Sequence, residues 1–159
     1  AALPGECRRR GGCSGEGMDQ HPARGFGTRT RPRILLGEDD EDLRRAVATS
    51  LRWAGYCVVE AEDGAELVTV LCATPPGHFA LVICDQRMPS LEGVQCLSMT
   101  GSRAPFIILS AYVDDELRKG AARFGAVRLL TKPVDLARLL HVVEGLTATV
   151  GSSDDESTG

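Results

Sequence analysis

The chain has 159 residues, 43% of them hydrophobic and 25% charged, which is ordinary for a single soluble globular domain. No apolar run is long enough to cross a bilayer, and the first residues lack the apolar core of a secretory signal, so we expect a cytoplasmic protein with no membrane partner. Residues 1–31 carry six Arg against three acidic residues, whereas residues 32–150 and 151–159 are net acidic. Because Phe26 is the only aromatic residue of the basic segment, direct nucleic-acid binding is not expected.

Composition divides the chain into three segments. Residues 1–31 are rich in Gly, Arg and Pro without a hydrophobic period, and residues 148–159 are small, polar and acidic. Both compositions predict disorder, because such segments cannot bury enough apolar surface to offset the entropy of ordering. Residues 32–147 are therefore expected to form the folded domain.

Six cysteines do not indicate a disulfide framework here. Cys7 and Cys13 match no common zinc spacing, and the other four lie inside apolar segments, where a free thiol behaves as a small hydrophobe. We expect reduced thiols, with these four in the core: Cys57, Cys72, Cys84 and Cys96.

Within residues 32–147, short apolar runs alternate with segments of helical period. This alternation predicts five strands and five helices in an α/β fold, a doubly wound parallel sheet with helices on both faces. In chain order the expected elements are strand 34–36, helix 43–54, strand 56–60, helix 65–73, strand 79–84, helix 91–99, strand 105–109, a helix lined by Leu117, Ala121 and Phe124 and stopped by Gly125, strand 127–130, and a helix capped by Asp135 with Leu136, Leu139, Leu140, Val143 and Leu146 inside.

Polar side chains stand at the carboxyl ends of four predicted strands. Glu38 and Asp39 follow the first strand, Asp85 the third, Ser110 the fourth and Lys132 the fifth. In a doubly wound sheet these ends lie side by side, so three carboxylates, a hydroxyl and an ammonium would converge. An acidic run alone is more often a solvated first helical turn, but the joint occurrence of all five favours a site.

Clustered carboxylates repel one another unless a cation joins them, and Mg²⁺ prefers oxygen ligands. A phosphoryl group on Asp85 would share that metal, accept a hydrogen bond from Ser110 and pair with Lys132. Asp85 is the expected nucleophile because it is the central acid, on the buried middle strand.

The stretches RILLGEDDEDLRR, LVICDQRMPSLEGVQCL, IILSA and LLTKPVDLARLL resemble the response-regulator receiver domain of two-component signalling, over roughly residues 33–147. The resemblance implies the flavodoxin-like strand order 2-1-3-4-5. It also implies a Mg²⁺ (or Mn²⁺) site in which Asp39 binds directly, Glu38 binds through water, and Asp85 and the backbone carbonyl of Arg87 complete the shell.

The remaining site residues take their roles from the same resemblance. Asp85 is the phosphorylation site, Ser110 is the Ser/Thr switch and Lys132 contacts the phosphoryl group. Pro133 is expected after a cis Lys–Pro bond, and Gly93 matches the glycine at which the loop after the acceptor turns.

As partners, the resemblance implies a histidine kinase or histidine phosphotransfer protein as donor and an unidentified downstream protein target, with homodimer formation left open. The protein is then not an enzyme in the ordinary sense, since it catalyses only its own phosphorylation and dephosphorylation. No output domain follows the core in this sequence, so it is expected to act as a stand-alone regulator or relay, or to be a fragment of a longer chain.

Two positions and one spacing depart from the family pattern. Leu129 stands where the family usually has an aromatic residue, which leaves Tyr112 as a hypothetical substitute in the switch. Asp85 and Ser110 are 25 residues apart, fewer than expected, which predicts a shortened third helix or exit loop near Ser98–Ala104. Three alternatives are open for Arg87, two positions after Asp85: it covers the phosphoryl site, pairs with Glu38, or lies flat on the surface with its stem packed. We expect it to change the dephosphorylation rate.

These departures keep a second hypothesis open, a degenerate receiver that binds a protein partner independently of phosphorylation. A phosphatase with an Asp nucleophile is disfavoured, because such enzymes carry a second Asp where this chain has Arg87.

Overall fold

The computed structural model describes residues 30–101 and 103–148. Five strands alternate with five helices in this part of the chain, and all strand pairs are parallel, in the order β2-β1-β3-β4-β5. The predicted fold class and strand order are therefore confirmed, whereas the predicted disordered segments fall almost entirely outside the described residues. The elements are β1 Arg33–Gly37, α1 Glu41–Trp53, β2 Cys57–Ala61, α2 Gly64–Ala73, β3 Leu81–Asp85, α3 Gly93–Thr100, β4 Phe106–Ser110, α4 Asp115–Arg123, β5 Arg128–Thr131 and α5 Leu136–Ala148.

The sheet separates two apolar clusters, because successive side chains of a strand point to opposite faces. On β1, Ile34 and Leu36 pack in the cluster that includes residues of α1 and α5. Leu35 between them packs in the other cluster, with residues of α2, α3 and α4. Strands β3 and β4 are buried at every position, as expected of central strands with both faces covered.

Acidic residues begin most of the helices. Asp40, Asp63 and Asp114 each accept a hydrogen bond from a backbone N–H in the first turn of α1, α2 and α4, at 3.0, 2.8 and 2.7 Å. Asp135 does the same for α5, where its carboxylate accepts from the N–H of Ala137 at 3.0 Å. Such caps satisfy otherwise unpaired donors and stabilise a helix by about 1 kcal/mol each. Asp40 is thereby assigned to capping, which separates it from Glu38 and Asp39 in the same acidic run.

Two side-chain predictions were wrong. Phe124 follows the last residue of α4 instead of lining it, and it is 39% exposed, with the Arg123 guanidinium 5.5 Å from its ring centre. Cys72 is exposed, because α2 buries Leu67 and Leu71 and the next residue along turns away from that face. Cys84 and Cys96 are buried as predicted, and Cys57 is partly buried.

Helix α3 has eight residues and is the shortest of the five described helices. It ends at Thr100 and is capped by Gly101, inside the region where the spacing predicted a shortened connection. In the described ranges, no helix is both long and apolar enough to span a membrane.

Two glycines with open space around them differ in backbone conformation, so alanine substitution should affect stability in opposite directions. Gly145 lies inside α5, and a methyl group there would meet no atom within 4 Å. Gly145→Ala is therefore expected to increase the free energy of unfolding by about 0.5–1 kcal/mol, since Ala loses less backbone entropy in a helix. Gly101 is equally open, but its φ of 62° and ψ of −156° suit glycine almost alone. Gly101→Ala should lower the free energy of unfolding by about 1–3 kcal/mol, and urea denaturation measures both variants. Equal stabilities of the two variants would contradict this assignment.

Candidate functional site

The polar residues predicted at the strand ends converge at one edge of the sheet. Glu38 and Asp39 follow β1, and Lys132 follows β5. Asp85 and Ser110 were expected just after their strands, but they are the last residues of β3 and β4. The ladder continues past the apolar run, because the N–H of Gln86 donates to the carbonyl of Leu109 at 2.7 Å. Hydrophobicity alone therefore placed these two strand ends one residue early.

Three carboxylates form the centre of this site. One oxygen each from Glu38, Asp39 and Asp85 lie within 4.8 Å of one another. Glu38 is 1% and Asp85 5% exposed, whereas Asp39 faces solvent. The backbone N–H of Arg87 donates to an Asp85 carboxylate oxygen at 3.3 Å, which keeps this segment beside the acids. A set of hard oxygen donors at this spacing fits a divalent cation such as Mg²⁺ or Mn²⁺.

Lys132 joins the acids of two strands. Its Nζ lies 2.9 Å from Glu38 Oε2 and 3.0 Å from Asp85 Oδ2. The Lys132–Pro133 peptide bond is cis, as the resemblance implied. The ammonium thus partly neutralises two buried carboxylates, Asp85 at the end of β3 and Glu38 just after β1.

The electrostatics of the cluster follow from burial. Burial raises the pKa of Glu38 to about 6; the charge of Asp85 adds to this, and the hydrogen bonds from Lys132 and from the N–H of Asp40 oppose it. For Lys132, burial disfavours the ammonium, but hydrogen bonds to Glu38 and Asp85 outweigh it and raise the pKa above its usual value. The lysine therefore stays charged wherever the acids are ionised.

Ser110 is buried beside the acids but bonded to its own loop. Its hydroxyl donates to the carbonyl of Tyr112 at 2.7 Å and accepts from the N–H of Tyr112 at 3.3 Å. The Tyr112 ring is largely exposed. Breaking this pair of bonds would free the hydroxyl and the start of the loop before α4 together.

Gly93 is required by space and not by backbone conformation. A methyl group on Gly93 would lie 2.8 Å from the carbonyl oxygen of Asp85, and the N–H of Gly93 donates to the carbonyl of Gln86 at 3.0 Å. The start of α3 therefore packs directly on the backbone of the candidate acceptor.

Residues around the site bear on the other expectations. Cys84 is fully buried in the cluster opposite α1 and α5, as predicted, and Leu129 is partly buried against the same cluster. The Arg87 side chain is exposed, and it forms no ion pair within the part of the chain that the structure describes. The alternative in which Arg87 pairs with Glu38 is thus not found, since Lys132 holds that carboxylate.

One contributor was missed from the sequence. The guanidinium of Arg44 donates to the backbone carbonyl of Glu38 at 2.9 Å. Arg44 lies on the buried stripe of α1 with Val47, Ala48 and Leu51, and a charged residue at the apolar period is the signal that could have revealed it.

Comparison with known sequences gives this arrangement a family. The family model described as the response regulator receiver domain matches residues 34–144. The chain belongs to the response regulator receiver family. Receiver domains are the signal-accepting parts of two-component systems, a signalling family and not conventional enzymes.

Individual relatives agree with the assignment. The transcriptional regulatory protein PdtaR of Mycobacterium tuberculosis is 35% identical over 115 residues, which cover 70% of this chain and 55% of that protein. The chain therefore spans about half the length of the curated relatives it matches. Among solved structures, the non-phosphorylated HemR receiver domain of Leptospira biflexa is 28% identical with a TM-score of 0.67, covering 81% of this chain and 100% of that one. The Francisella response regulator 1452 receiver domain is 25% identical with a TM-score of 0.67, covering 76% and 99%.

The lysine bridge of this receiver domain should matter for stability as well as for chemistry. Lys132→Met leaves two buried carboxylates without their cation, and we expect a loss of about 2–4 kcal/mol in unfolding free energy near neutral pH without added metal. Lys119→Met, at an exposed position of α4, is the matched control and should stay within about 0.5 kcal/mol of wild type. Equal stability of the two variants in urea denaturation would show that the bridge contributes nothing.

Proposed function

We propose that this receiver domain accepts a phosphoryl group on Asp85 from a histidine kinase or histidine phosphotransfer protein, in a reaction that depends on Mg²⁺ or Mn²⁺. Phosphorylation then changes a surface that binds a downstream protein. The observation that carries the proposal is the contact of Lys132 Nζ with both Asp85 and Glu38, next to the exposed carboxylate of Asp39. Three cysteines of the described residues, Cys72, Cys84 and Cys96, are free thiols, which suit the reducing cytoplasm that we include in the proposal.

The proposed step is an in-line transfer. An Asp85 carboxylate oxygen bonds to phosphorus as the phosphorus–nitrogen bond of the donor's phosphohistidine breaks, and the imidazole leaves. Little covalent chemistry falls to the protein, so its groups act by position and charge. Lys132 already lies against Asp85 and would follow the negative charge onto the phosphoryl oxygens.

The acids would divide the metal site between them. Asp39 is exposed and free to bind a cation directly, whereas both Glu38 oxygens already accept hydrogen bonds, which suits a contact through water. Asp85 and the carbonyl of Arg87 would complete the protein ligands. When bound, the divalent ion supplies positive charge that offsets carboxylate repulsion and neutralises the transferred group.

Ser110 would carry the change to the surface. To donate to the phosphoryl group, its hydroxyl must give up the carbonyl of Tyr112. The exposed Tyr112 segment and α4 would then rearrange, and this region is where we place the downstream protein or a second copy of the chain. Leu129 cannot contribute the ring movement usual at its position, so the Tyr112 loop would take a larger share.

The decisive experiment is intact-mass measurement after incubation with acetyl phosphate and MgCl₂. Wild type is expected to gain the mass of one phosphoryl group, and Asp85→Asn should gain none, since an amide replaces the nucleophilic carboxylate. Chelation of the metal with EDTA should abolish the gain in wild type. Phosphorylation of Asp85→Asn to the same extent, or of wild type without metal, would contradict the proposal.

Leu129 and the eight-residue α3 favour the alternative of a phosphorylation-independent binding module. Beryllofluoride with Mg²⁺, a mimic of the phosphoryl group, separates the two functions. A phosphoacceptor should show a rise in melting temperature that Asp85→Asn lacks, and a binding-only module should show none.

Arg87 offers a prediction about the lifetime of the phosphorylated state. Its exposed side chain lies two residues after Asp85 and has no carboxylate partner among the described residues, so it is available to cover the acyl phosphate. Arg87→Ala should change the dephosphorylation rate several-fold, about 1 kcal/mol in barrier. Arg45→Ala, another exposed arginine, is the control. The lifetime of the phosphorylated state is measured as the decay of the phosphoryl mass over time. Equal lifetimes of wild type and Arg87→Ala would show that Arg87 only lies on the surface.

A further inference from the structure

We infer that Arg44 is a positioning residue for the metal site, holding the peptide unit between Glu38 and Asp39 in the orientation that aims both acids. The inference rests on the proposed function, because it concerns the affinity of that site for a divalent cation. Among the described residues, Arg44 itself forms no hydrogen bond or ion pair with Asp39 or Asp85.

The guanidinium of Arg44 is almost fully enclosed. The residue is 8% exposed, and all three nitrogens have partners. Nη1 donates to the carbonyl oxygen of Glu38 at 2.9 Å, Nε lies 3.4 Å from Glu60, and Nη2 lies 3.5 Å from Glu62. The side chain thus links the turn after β1 to the end of β2 and the loop beyond it.

The Glu38 backbone is held on both sides. Its N–H donates to the carbonyl of Ala61 at 3.2 Å, which extends the β1–β2 ladder by one residue. Its carbonyl lies beyond the end of β1 and is taken by Arg44 instead of by a strand. Because a peptide unit is planar, fixing this carbonyl also fixes the N–H and Cα of Asp39. Asp39 is exposed, and its side chain forms no hydrogen bond or ion pair with another described residue, so the peptide plane is what orients it.

The shape of the guanidinium matters more than its charge in this role. A planar fork can serve one carbonyl and two carboxylates at once, whereas a lysine ammonium is a compact point charge. Charge alone has the opposite effect on the site: a cation near a cation-binding cluster repels the metal, so removing it should strengthen binding. On removal of the Arg44 guanidinium, positioning therefore predicts weaker metal binding and electrostatics predicts stronger metal binding.

The test is Mg²⁺ titration of the full chain by isothermal calorimetry, with urea denaturation in EDTA as a separate measure of folding. Arg44→Lys keeps the charge and loses the fork, and we expect about tenfold weaker Mg²⁺ binding, the usual size for a group that orients a metal ligand. Arg52→Lys is the matched control. Arg52 lies on the same helix and also binds Glu60, at 2.8 Å, but its other contact is the carbonyl of Val58, away from the acids. The Mg²⁺ affinity of Arg52→Lys should stay within about twofold of that of wild type.

Arg44→Met shows whether loss of the guanidinium weakens or strengthens Mg²⁺ binding. Weaker Mg²⁺ binding than wild type, in spite of the lost positive charge, supports positioning. Tighter binding by Arg44→Met, or an unchanged affinity in Arg44→Lys, overturns the inference while leaving the proposed function intact. Failure of wild type itself to bind Mg²⁺ would contradict the proposed function instead.

If the Arg44 variants do not fold, Glu62→Gln loosens one anchor of the guanidinium from a mostly exposed position. Glu41→Gln is its control, because Glu41 pairs with Arg45 and not with Arg44. Glu62→Gln should bind Mg²⁺ more weakly than Glu41→Gln, and equal affinities overturn the inference.

Discussion

The site depends on one long side chain that crosses the end of the sheet. Lys132 starts after β5, yet its ammonium reaches Asp85 on β3 and Glu38 beyond β1. Adjacent strands are about 4.8 Å apart, so the distance from β5 to β3 is about 10 Å. The ammonium can cover it only because parallel strands end together and the intervening strand β4 ends in a small residue, Ser110. The same ion pairs that make two buried acids tolerable therefore tie an edge strand to the centre of the sheet.

The acidic residues 38–42 at this edge have two different roles: some stabilise helix α1, and others are candidate metal ligands. Asp40 caps α1, and Glu41 and Asp42 lie in its first turn, where the helix dipole favours negative charge. Glu38 is buried against Lys132, and Asp39 alone of the run remains exposed beside the cluster without a capping role. The acidic run thus stabilises a helix and supplies candidate ligands at the same time, which a count of charges does not distinguish.

The sequence predicted the sheet and the convergence of the site because both depend on patterns that the chain carries locally. Alternating apolar runs and helical periods set the order of elements, and parallel strands then bring Glu38, Asp85 and Lys132 together without further information. What it could not predict depends on contacts between distant segments. The apolar period of α1 indicates that Arg44 is buried, but its partners, Glu60 and the carbonyl of Glu38, lie outside that helix. Gly93 reads as a turn residue until α3 packs on Asp85. Phe124 was misplaced because its helix stops one residue before it.

The hydroxyl of Ser110 limits how strong a switch this site can be. In this structure it donates to a neutral carbonyl, a bond worth about 1 kcal/mol, whereas a bond to a charged phosphoryl oxygen is worth about 1.5–3 kcal/mol. Exchanging one for the other yields about 0.5–2 kcal/mol, enough to shift a two-state equilibrium roughly 2- to 30-fold. A difference of this size moves a population only if the two loop conformations are already close in free energy. Leu129, packed against the second cluster, adds no ring rotation that could widen the gap. Under the proposed function, then, the loop after β4 must be nearly balanced before phosphorylation, and the exposed Tyr112 segment, with few buried contacts to hold it, is suited to that condition.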